Sequence, residues 1–455
     1  MTAHTASTAR VHVVGAGLAG LAAAVELTAQ GGAVILHESS QQAGGRCRSF
    51  FDSELGCRID NGNHLLLSGN TAARAYIDRI GAQHTFEPLG DAAIPFVDLA
   101  DGTRWTVRPN RGRIPWWLLR PSARIPDTRP RGYAEALRLR RAGPGATVED
   151  LLRRDTVLFR RLWKPLAVAA LNTATEQGSA RLFWRILAET MGRGAAACRP
   201  LLPREGLSES LVDPALAYLR GSGADIRFGA RLRALEFKDA RVAGLLLVDA
   251  DTVTVGPEDI VILAVPAPVA ARLLPGLTVP DDYAPIVNAH YRYTLPPGRP
   301  AFTGIVGGTA EWVFRKPGIV SVTVSAADHI VDLTAEELRQ SLWRDVARAW
   351  NLPAAPVPAA RIVKERRATF RATPVQEAKR PHPETRWVNL HLAGDYVDTG
   401  LPATIEGAIR SGFAAAARVH QGRTPATAGP PAPARPLPRN FRIARARCHE
   451  NRNQG

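Results

Sequence analysis

A glycine-rich turn near the N-terminus has residue types and a spacing that suit the binding of a dinucleotide. The turn, Gly15-Ala16-Gly17-Leu18-Ala19-Gly20, matches G-x-G-x-x-G, and an acid, Glu38, follows at about the 20-residue distance typical of such sites. Gly15 permits a tight turn, Gly17 lets the backbone approach a pyrophosphate, and Gly20 allows a helix to pack closely on a strand. The carboxylate can accept hydrogen bonds from a ribose hydroxyl, so the two features together predict a dinucleotide site.

The residues around this turn have the pattern of a β-α-β unit, which would hold the turn in place. Residues 11–14 are an apolar run typical of a buried strand, and residues 18–30 are an Ala- and Leu-rich stretch typical of a helix. A second apolar run, 33–37, ends at Glu38. The N-terminus of the helix would offer unpaired N–H groups and a partial positive charge to phosphates. This order of elements favours a nucleotide site over a purely structural turn.

Later segments predict how the rest of the chain is organised. Apolar strand patterns recur at residues 260–264 and 388–393, and a helix is predicted over 404–420. We predict an α/β fold in which a split Rossmann-like, cofactor-binding domain is interleaved with an α+β substrate domain. The first domain is predicted to comprise 1–84, 206–279 and 386–420, and the second 85–205 and 280–385. The remaining residues, 421–455, are rich in Pro, Ala and Arg without periodicity, which predicts a disordered basic tail.

Two short motifs decide between NAD and FAD. Gly44-Gly45-Arg46 lies just beyond Glu38, and Ala393-Gly394-Asp395 precedes Leu401-Pro402-Ala403-Thr404-Ile405-Glu406-Gly407-Ala408 at the start of the last predicted helix. Together with the glycine turn, these motifs resemble those of the FAD-dependent amine oxidase and phytoene desaturase superfamily. The resemblance implies that the cofactor is FAD.

The resemblance also implies a role for each matching residue. Gly44 and Gly45 would pass close to the phosphates and ribityl chain of the flavin, with Arg46 nearby, and Asp395 would contact the ribityl or phosphate region. The last helix would point its N-terminus at the flavin ring, where its dipole stabilises negative charge on the reduced flavin. The other implied cofactor positions are Ala16, Leu18 and Ala19 in the first turn, Gly394, Thr404, Ile405 and Glu406 in the last motif, and Leu232, whose backbone would meet the adenine.

Three further motifs resemble a narrower group. They are Asp60-Asn61-Gly62-Asn63-His64-Leu65-Leu66-Leu67, the pair formed by 162–166 (Leu-Trp-Lys-Pro-Leu) and 170–172 (Ala-Leu-Asn), and 202–207 (Leu-Pro-Arg-Glu-Gly-Leu). They are similar to those of squalene-associated FAD-dependent enzymes, the hydroxysqualene dehydroxylase family, and the likeness covers roughly residues 10 to 420. Asn63 departs from the family pattern, where a Gln is expected.

This narrower resemblance implies a reaction. Reduced FAD would deliver hydride to an allylic cation-like carbon of hydroxysqualene, so that the hydroxyl leaves and squalene and water are formed, in squalene and hopanoid biosynthesis. Such chemistry needs a long apolar pocket for a C30 isoprenoid, exclusion of water, and an acid that protonates the departing hydroxyl. We predict His64 as that acid with Asp60 as its neighbour; the alternative is that both only shape a loop beside the flavin. The predicted pocket-lining residues are Trp163, Leu166, Leu171, Phe183 and Trp184, which would equally suit an ordinary helix core.

Other functions share the same motifs. A carotenoid (phytoene-type) desaturase or isomerase would use the same flavin site. Amine oxidation is a third possibility, although no clear pair of aromatic residues occurs near residues 399–405. A flavin-binding escort protein without catalysis would also retain every motif that binds the cofactor. Neither the electron donor to FAD nor the oligomeric state is indicated by the sequence.

The charge of the chain bears on its partners and location. The net charge is +16, and residues 104–141 contain eleven arginines and only two acids, Asp127 and Glu135. Within this stretch lies Ile114-Pro115-Trp116-Trp117-Leu118-Leu119-Arg120, whose mixture of aromatic, apolar and basic residues suits the surface of an anionic membrane. The alternative is a solvated basic loop with its tryptophans turned inward. No nucleic-acid recognition motif accompanies the charge, so nucleic acid is not expected as a partner.

Few cysteines and the lack of a signal peptide or a long apolar run predict a cytoplasmic protein without a metal site. The basic stretch adds the expectation of peripheral binding to the inner face of the cytoplasmic membrane.

Overall fold

The computed structural model describes residues 9–248 and 251–423, with side chains described up to residue 419. The helices in these residues are α1 (Leu18–Ala29), α2 (Thr71–Arg79), α3 (Pro130–Tyr133), α4 (Val148–Leu151), α5 (Lys164–Leu171), α6 (Ala180–Glu189), α7 (Asp213–Gly221), α8 (Ala267–Leu273), α9 (Ala335–Trp350), α10 (Pro374–Ala378) and α11 (Ile405–Arg423). Short π-helical segments, Phe159–Trp163 and Ser208–Val212, lead into α5 and α7.

The strands form two large sheets and three small ones. Their bounds are β1 (Arg10–Val14), β2 (Ala33–His37), β3 (Ser49–Asp52), β4 (Cys57–Asp60), β5 (Leu66–Leu67), β6 (Ile94–Asp98), β7 (Arg104–Val107), β8 (Pro200–Leu201), β9 (Asp225–Arg227), β10 (Leu232–Lys238), β11 (Arg241–Leu247), β12 (Val253–Thr254), β13 (Ile260–Leu263), β14 (Tyr283–Arg292), β15 (Phe302–Val306), β16 (Trp312–Lys316), β17 (Ile319–Val324), β18 (Ala360–Phe370) and β19 (Leu390–Leu392).

The first large sheet is parallel, with strand order β19-β13-β1-β2-β9. Its strands therefore come from three separate parts of the chain, and β1 lies at the centre. The Ala-rich face of α1 packs directly on α11, so closely that a methyl group on Gly412 would collide with the carbonyl oxygen of Ala19. Small residues on both helices allow this approach, and it fixes α11 beside the glycine turn that begins α1.

The second large sheet is mixed, with strand order β18-β14-β17-β16-β15-β6-β7, in which only β15 and β6 run parallel. Side chains alternate between its two faces. Val287, Ala289 and Tyr291 of β14 pack on the apolar cluster that contains α9, whereas Asn288 and His290 face the loop that follows β4. The polar residues of this face therefore lie beside the segment that carries the predicted acid.

The predicted α/β class, with a Rossmann-like sheet assembled from separated segments, is confirmed by this architecture. Every strand of the parallel sheet comes from the residues assigned to the cofactor domain, and every strand of the mixed sheet from those assigned to the substrate domain. The domain boundaries themselves stay a prediction. Helix α11 extends to Arg423, so residues 421–423 are helical rather than part of a tail, and residues 424–455 lie outside the described part of the chain.

No helix within residues 9–248 and 251–423 is long and apolar enough to cross a membrane.

Two buried histidines lie side by side beneath the glycine turn. The His12 Nδ1 and His37 Nε2 atoms are 3.2 Å apart on the neighbouring strands β1 and β2. Burial, together with the neighbouring His12 and Arg227, lowers the pKa of His37 to about 4. Both rings are therefore neutral in the folded protein near pH 7.

This pair predicts a loss of stability in mild acid. Between the ordinary pKa of 6.5 and about 4, the unfolded chain binds a proton at position 37 that the folded protein does not, so stability falls as the pH is lowered through this window. We expect the change in unfolding free energy from pH 7 to pH 5 to be smaller by about 2 kcal/mol in His37→Gln than in the unmodified protein. Urea denaturation at both pH values measures it, and the exposed His84→Gln serves as a control. Identical pH dependence in all three proteins would contradict the assignment.

Candidate active site

The glycine turn between β1 and α1 leaves open space for a ligand at the N-terminus of α1. Gly15 has a φ of +105°, and a methyl group there would lie 2.5 Å from the carbonyl oxygen of Ala264. On Gly20 it would collide with the carbonyl oxygen of Gly15. In contrast, a methyl group on Gly17 would meet no atom within 4 Å. Packing therefore requires glycine at the first and third positions, whereas Gly17 keeps its backbone accessible, as close contact with a pyrophosphate requires.

Glu38 is held against this turn at the end of β2. Its Oε2 accepts a hydrogen bond of 2.7 Å from the Ala16 backbone N–H, and its Oε1 accepts one of 2.8 Å from the Ser40 N–H. The Glu38 carbonyl also accepts a 2.8 Å bond from the N–H of Ala230, two residues before Leu232, the first residue of β10. The structure thus brings Glu38 and the Leu232 segment to the same side of the turn.

The second glycine motif contacts the first directly. The Gly44 N–H donates to the carbonyl oxygen of Ala16 at 2.8 Å, and a methyl group on Gly45 would lie 3.5 Å from the Cα of Gly17. Gly44 has a φ of +105°, which few residues other than glycine adopt. The two motifs, separate in sequence, therefore build one continuous backbone surface, and the residues present fit the phosphates of FAD.

Arg46 joins this surface to the C-terminal motif. Its Nη2 lies 2.7 Å from the Asp395 Oδ1, and its Nη1 donates to the carbonyl oxygen of Ala368 in β18 at 2.7 Å. The Asp395 carboxylate raises the pKa of Arg46 against the opposing effect of burial. The Arg46 side chain is 43% exposed, so its guanidinium is not part of the filled core.

A buried arginine that the sequence did not point to shapes the loop after Asp395. Arg380 donates to the carbonyl oxygens of Val397 and Leu401 at 2.6 Å each and to that of Asp395 at 3.2 Å. No local motif surrounds it, and its role is visible only once the chain has folded. At the end of this loop, the Thr404 Oγ1 accepts from the Gly407 N–H at 3.0 Å at the N-terminus of α11.

The remaining residues of the last motif lie at the base of the loop. The Gly394 N–H donates to the Ser411 Oγ at 2.9 Å, and Ile405 is buried. The Glu406 carboxylate instead accepts from the backbone N–H groups of Ala72 and Ala73 at 3.0 and 2.8 Å, at the N-terminus of α2. This side chain therefore stabilises a helix. A cofactor contact at Glu406 stays a prediction, and it would involve the backbone.

Asp60 is held in an ionised network at the end of β4. It forms an ion pair with Lys316 of β16, and its Oδ1 accepts from the Ser49 Oγ at 2.6 Å and the Leu207 N–H at 2.8 Å. Burial alone would raise the pKa of Asp60, but Lys316 and these donors together hold it below its ordinary value. The described residues include no hydrogen bond between Asp60 and His64, so Asp60 acts on His64 only through its charge.

His64 lines a small pocket with Asn63, Lys316, Phe314 and Leu202. The His64 side chain keeps an exposed surface although protein surrounds the ring. Burial lowers the pKa of His64 to about 4, with Asp60 opposing the shift and Lys316 adding to it. The ring is therefore neutral near pH 7, and a negative charge placed beside it would raise its pKa. Its role as the acid stays a prediction.

The loop that carries His64 is anchored on the polar face of the mixed sheet. The Asn63 Nδ2 donates to the Ser321 Oγ at 2.7 Å and to the Thr323 Oγ1 at 3.0 Å, and the Ser321 Oγ is 2.7 Å from the His290 Nδ1. Asn63, the position that departs from the family pattern, thus has well-placed partners on β17. This network positions the neighbouring His64.

A second candidate acid lies in the residues assigned to the substrate domain and was missed by sequence reasoning. The half-buried Glu311 accepts from the Ser325 N–H at 2.7 Å, and burial raises its pKa to about 7. A carboxyl group with such a pKa keeps its proton in a large fraction of molecules at neutral pH. Nothing in the sequence around Glu311 signals this, because the shift comes from the surrounding fold.

The predicted pocket-lining residues divide into two sets. Trp163, Leu171 and Phe183 are buried in the apolar cluster that fills the substrate domain, whereas Leu166 and Trp184 keep part of their surface accessible. The cluster also includes Phe314, and Leu65 and Leu202 pack against it. Apolar surface therefore extends up to the pocket of His64.

Comparison with known proteins gives the family. Residues 18–420 match the family described as flavin-containing amine oxidoreductase. Proteins named hydroxysqualene dehydroxylase from Rhodopseudomonas palustris and Sinorhizobium fredii are 48% and 47% identical, each over 89% of this chain and 97% of the relative. The protein of that name from Zymomonas mobilis is 44% identical over the same shares. The chain belongs to the hydroxysqualene dehydroxylase family.

Membership of the hydroxysqualene dehydroxylase family makes the chain an FAD-dependent oxidoreductase and confirms both FAD and the family as predicted. Carotenoid desaturases are more distant, since a probable zeta-carotene desaturase from Synechococcus elongatus is 24% identical over 90% of this chain and 98% of that protein.

Solved structures of amine oxidases share the fold. Putrescine oxidase bound to putrescine has a TM-score of 0.66 at 16% identity, covering 91% of this chain and 99% of that one. Cyclohexylamine oxidase from Brevibacterium oxydans has a TM-score of 0.62 at 17% identity over the same shares. At such identities the likeness shows the fold of this hydroxysqualene dehydroxylase family member and nothing of its substrate.

The contacts of Glu38 predict its effect on cofactor retention. Glu38→Ala removes the acceptor at the glycine turn and the implied ribose contact, and we expect the purified protein to retain less than about a tenth of the normal FAD, since a charged hydrogen bond contributes about 1.5–3 kcal/mol. The ratio of flavin absorbance to protein absorbance measures this. The exposed Glu87→Ala is the control, and full flavin content in Glu38→Ala would refute the assignment.

Proposed function

We propose that this protein removes the hydroxyl of hydroxysqualene reductively and releases squalene and water. The observation that carries the proposal is the 44–48% identity to proteins named for this activity over 97% of their length. In balanced form, the carbon–oxygen bond breaks, one proton joins the departing hydroxyl to give water, and hydride forms the new carbon–hydrogen bond.

We infer that the cofactor is held by the residues that the glycine motifs bring together. The backbone of Gly17 and the N-terminus of α1 would bind the pyrophosphate, and Glu38 the ribose. Arg46 and Asp395 would hold the ribityl and phosphate region, with the N-terminus of α11 near the flavin ring. Bound reduced FAD supplies the hydride. The electron donor that reduces it is a separate molecule that we do not assign.

The departing hydroxyl needs a proton, and we propose His64 as its donor. His64 lines a pocket reached by apolar surface, and its loop is fixed by Asn63. Its low pKa in the free protein means that a nearby negative charge must accompany its protonation. Glu311 is the second candidate, favoured by a pKa of about 7.

The substrate would be a C30 isoprenoid lipid bound against the apolar cluster of the substrate domain. Its accessible members, Leu65, Leu166 and Trp184, offer apolar contacts and exclude water from a cation-like carbon. We also propose peripheral contact with the anionic inner face of the cytoplasmic membrane, because so apolar a substrate partitions into lipid.

The activity is tested by a single-turnover reaction. We expect the flavoprotein, reduced anaerobically and mixed with hydroxysqualene in detergent micelles, to reoxidise its flavin and form one equivalent of squalene per flavin. Absorbance at the flavin band and product extraction measure both. Reduced flavin that stays reduced would reject the reaction and favour a flavin-binding escort protein, and desaturation of phytoene by the oxidised protein would favour the carotenoid alternative.

The identity of the acid is tested by paired substitutions. We expect His64→Asn to lower kcat at least about a hundredfold with normal flavin content, as loss of a general acid does, and Glu311→Gln to leave it within about threefold. The pH profile distinguishes the two, because a required protonated group loses activity as the pH rises through its pKa. If activity instead decreases as the pH rises through about 7, and Glu311→Gln removes this decrease, Glu311 would be the proton donor.

A further inference from the structure

A short loop exposes three large apolar side chains at one place on the surface. Ile114, Trp116 and Leu119 are 59%, 59% and 62% exposed, within and just before the 3₁₀ turn Trp116–Leu119. Between them Trp117 is buried and packs edge-to-face on Tyr133, with ring centroids 5.6 Å apart. Adjacent tryptophans thus have opposite environments. We call residues 111–120 the docking loop.

The docking loop is fixed in place, so the exposure of these side chains is not that of a loose segment. The Asn110 Oδ1 accepts from the Trp117 N–H at 3.1 Å, and its Nδ2 donates to the carbonyl oxygen of Ile114 at 3.0 Å. The Asn110 carbonyl also accepts from the Ala195 N–H at 2.9 Å. One asparagine therefore ties both ends of the exposed turn to the body of the substrate domain.

The charges around the apolar tip are of one sign. Arg111, Arg113 and Arg120 are exposed, and the sequence contains no acid between Asp101 and Asp127. Within the described residues none of the three arginines forms an ion pair. An apolar tip ringed by free cations matches a bilayer with anionic headgroups, because tryptophan and aliphatic side chains enter the interface while cations meet phosphates.

The docking loop is connected to the pocket of His64 by a short series of hydrogen bonds. The segment 194–198, which bonds to Asn110, also binds the chain just after His64: the Ser68 Oγ donates to the Ala196 carbonyl at 2.8 Å, and the Gly69 N–H to the Ala197 carbonyl at 2.9 Å.

The apolar cluster behind the docking loop also has side chains near both the loop and the pocket of His64. Leu118 under the exposed turn, Met191, Leu65 and Leu202 are partly accessible and pack against the same apolar cluster. Two of them, Leu65 and Leu202, are at the pocket, since Leu65 follows His64 and Leu202 lines the pocket itself. One apolar core thus has accessible side chains both under the docking loop and beside the pocket of His64.

We propose that the docking loop inserts Ile114, Trp116 and Leu119 into a bilayer that contains anionic lipid, and that the isoprenoid substrate passes from the bilayer along Leu118, Met191, Leu65 and Leu202 to His64. A typical protein surface of mixed charge is less suited to this loop, because its cations would meet a ring of arginines with no acid to pair with them. The passage rests on the proposed function, whereas the membrane contact does not.

Membrane contact is tested by co-sedimentation with vesicles. We expect the unmodified flavoprotein to bind vesicles of equal parts phosphatidylcholine and phosphatidylglycerol and to bind poorly to phosphatidylcholine alone. The triple variant I114S/W116S/L119S should bind the anionic vesicles at least about tenfold more weakly, since each buried apolar side chain contributes about 1.5–3 kcal/mol at full burial. The triple variant F51S/V375S/V388S, with equally exposed apolar residues elsewhere, is the matched control and should bind normally.

The charge contribution is measured with R111Q/R113Q/R120Q, which should lose the preference for anionic vesicles and the salt dependence of binding. Absence of binding by the unmodified protein, or undiminished binding by the first triple variant, would overturn the membrane contact. Binding to heparin that disappears in the arginine variant, together with no vesicle binding by the unmodified protein, would assign the arginines to a soluble polyanion instead.

The passage is tested by presenting hydroxysqualene in two forms. For I114S/W116S/L119S we expect unchanged turnover in detergent micelles and at least about tenfold slower turnover when the substrate is embedded in vesicles. Equal rates with both forms would overturn the passage. No turnover by the unmodified protein in either form would instead reject the proposed function and leave the vesicle result standing. Flavin content and thermal melting confirm that each variant is folded.

Discussion

The ion pair between Arg46 and Asp395 is the constraint on which the rest of the site depends. The Arg46 guanidinium joins the second glycine motif to the loop before α11 through its Nη2, and its Nη1 donates to the carbonyl oxygen of Ala368 in β18. It therefore links the N-terminal motif, the C-terminal motif and the edge strand of the mixed sheet. Because the Asp395 side chain is only 13% exposed, water screens this attraction less than at an open surface, and the geometry of all three elements is coupled.

Other buried polar side chains extend this coupling outward. Arg380 holds the loop after Asp395 through carbonyl oxygens, and Glu406 holds the N-terminus of α2. Lys316 and Asp60 join β16 to β4 in the same way across the other side of the site. Each contact satisfies backbone or charged groups that would otherwise be buried without partners. The apolar cores supply the bulk of the stability. These polar contacts fix the positions of the cofactor-binding and substrate-binding surfaces relative to each other.

The parts of the fold that sequence predicts are those set by local pattern. The β1-α1-β2 unit, the strand at 260–263 and helix α11 follow from periodicity and from glycines at fixed spacing, and the family motifs indicate FAD. The contacts that the sequence does not reveal are those between residues that lie far apart in the chain. Lys316 is 256 residues from Asp60, and no local signal marks it.

Side-chain environment is equally hard to read from sequence. The pKa of Glu311 is raised by burial that only the folded domain provides. Glu406 lies within a recognised motif, yet its carboxylate serves α2. Trp116 and Trp117 are adjacent residues of the same type, yet in one tight turn the first is exposed and the second is buried.

The strand order of the parallel sheet has a consequence for biosynthesis. Its outer strand β19 and the loop with Asp395 are among the last described parts of the chain to leave the ribosome, whereas the glycine turn that they complete is among the first. A nascent chain therefore carries an unfinished sheet through most of its translation, with β13 unpaired along one edge. The complete cofactor surface therefore forms only after residue 395 has been made, and FAD that binds this surface and not the unfinished chain would favour completion of the fold.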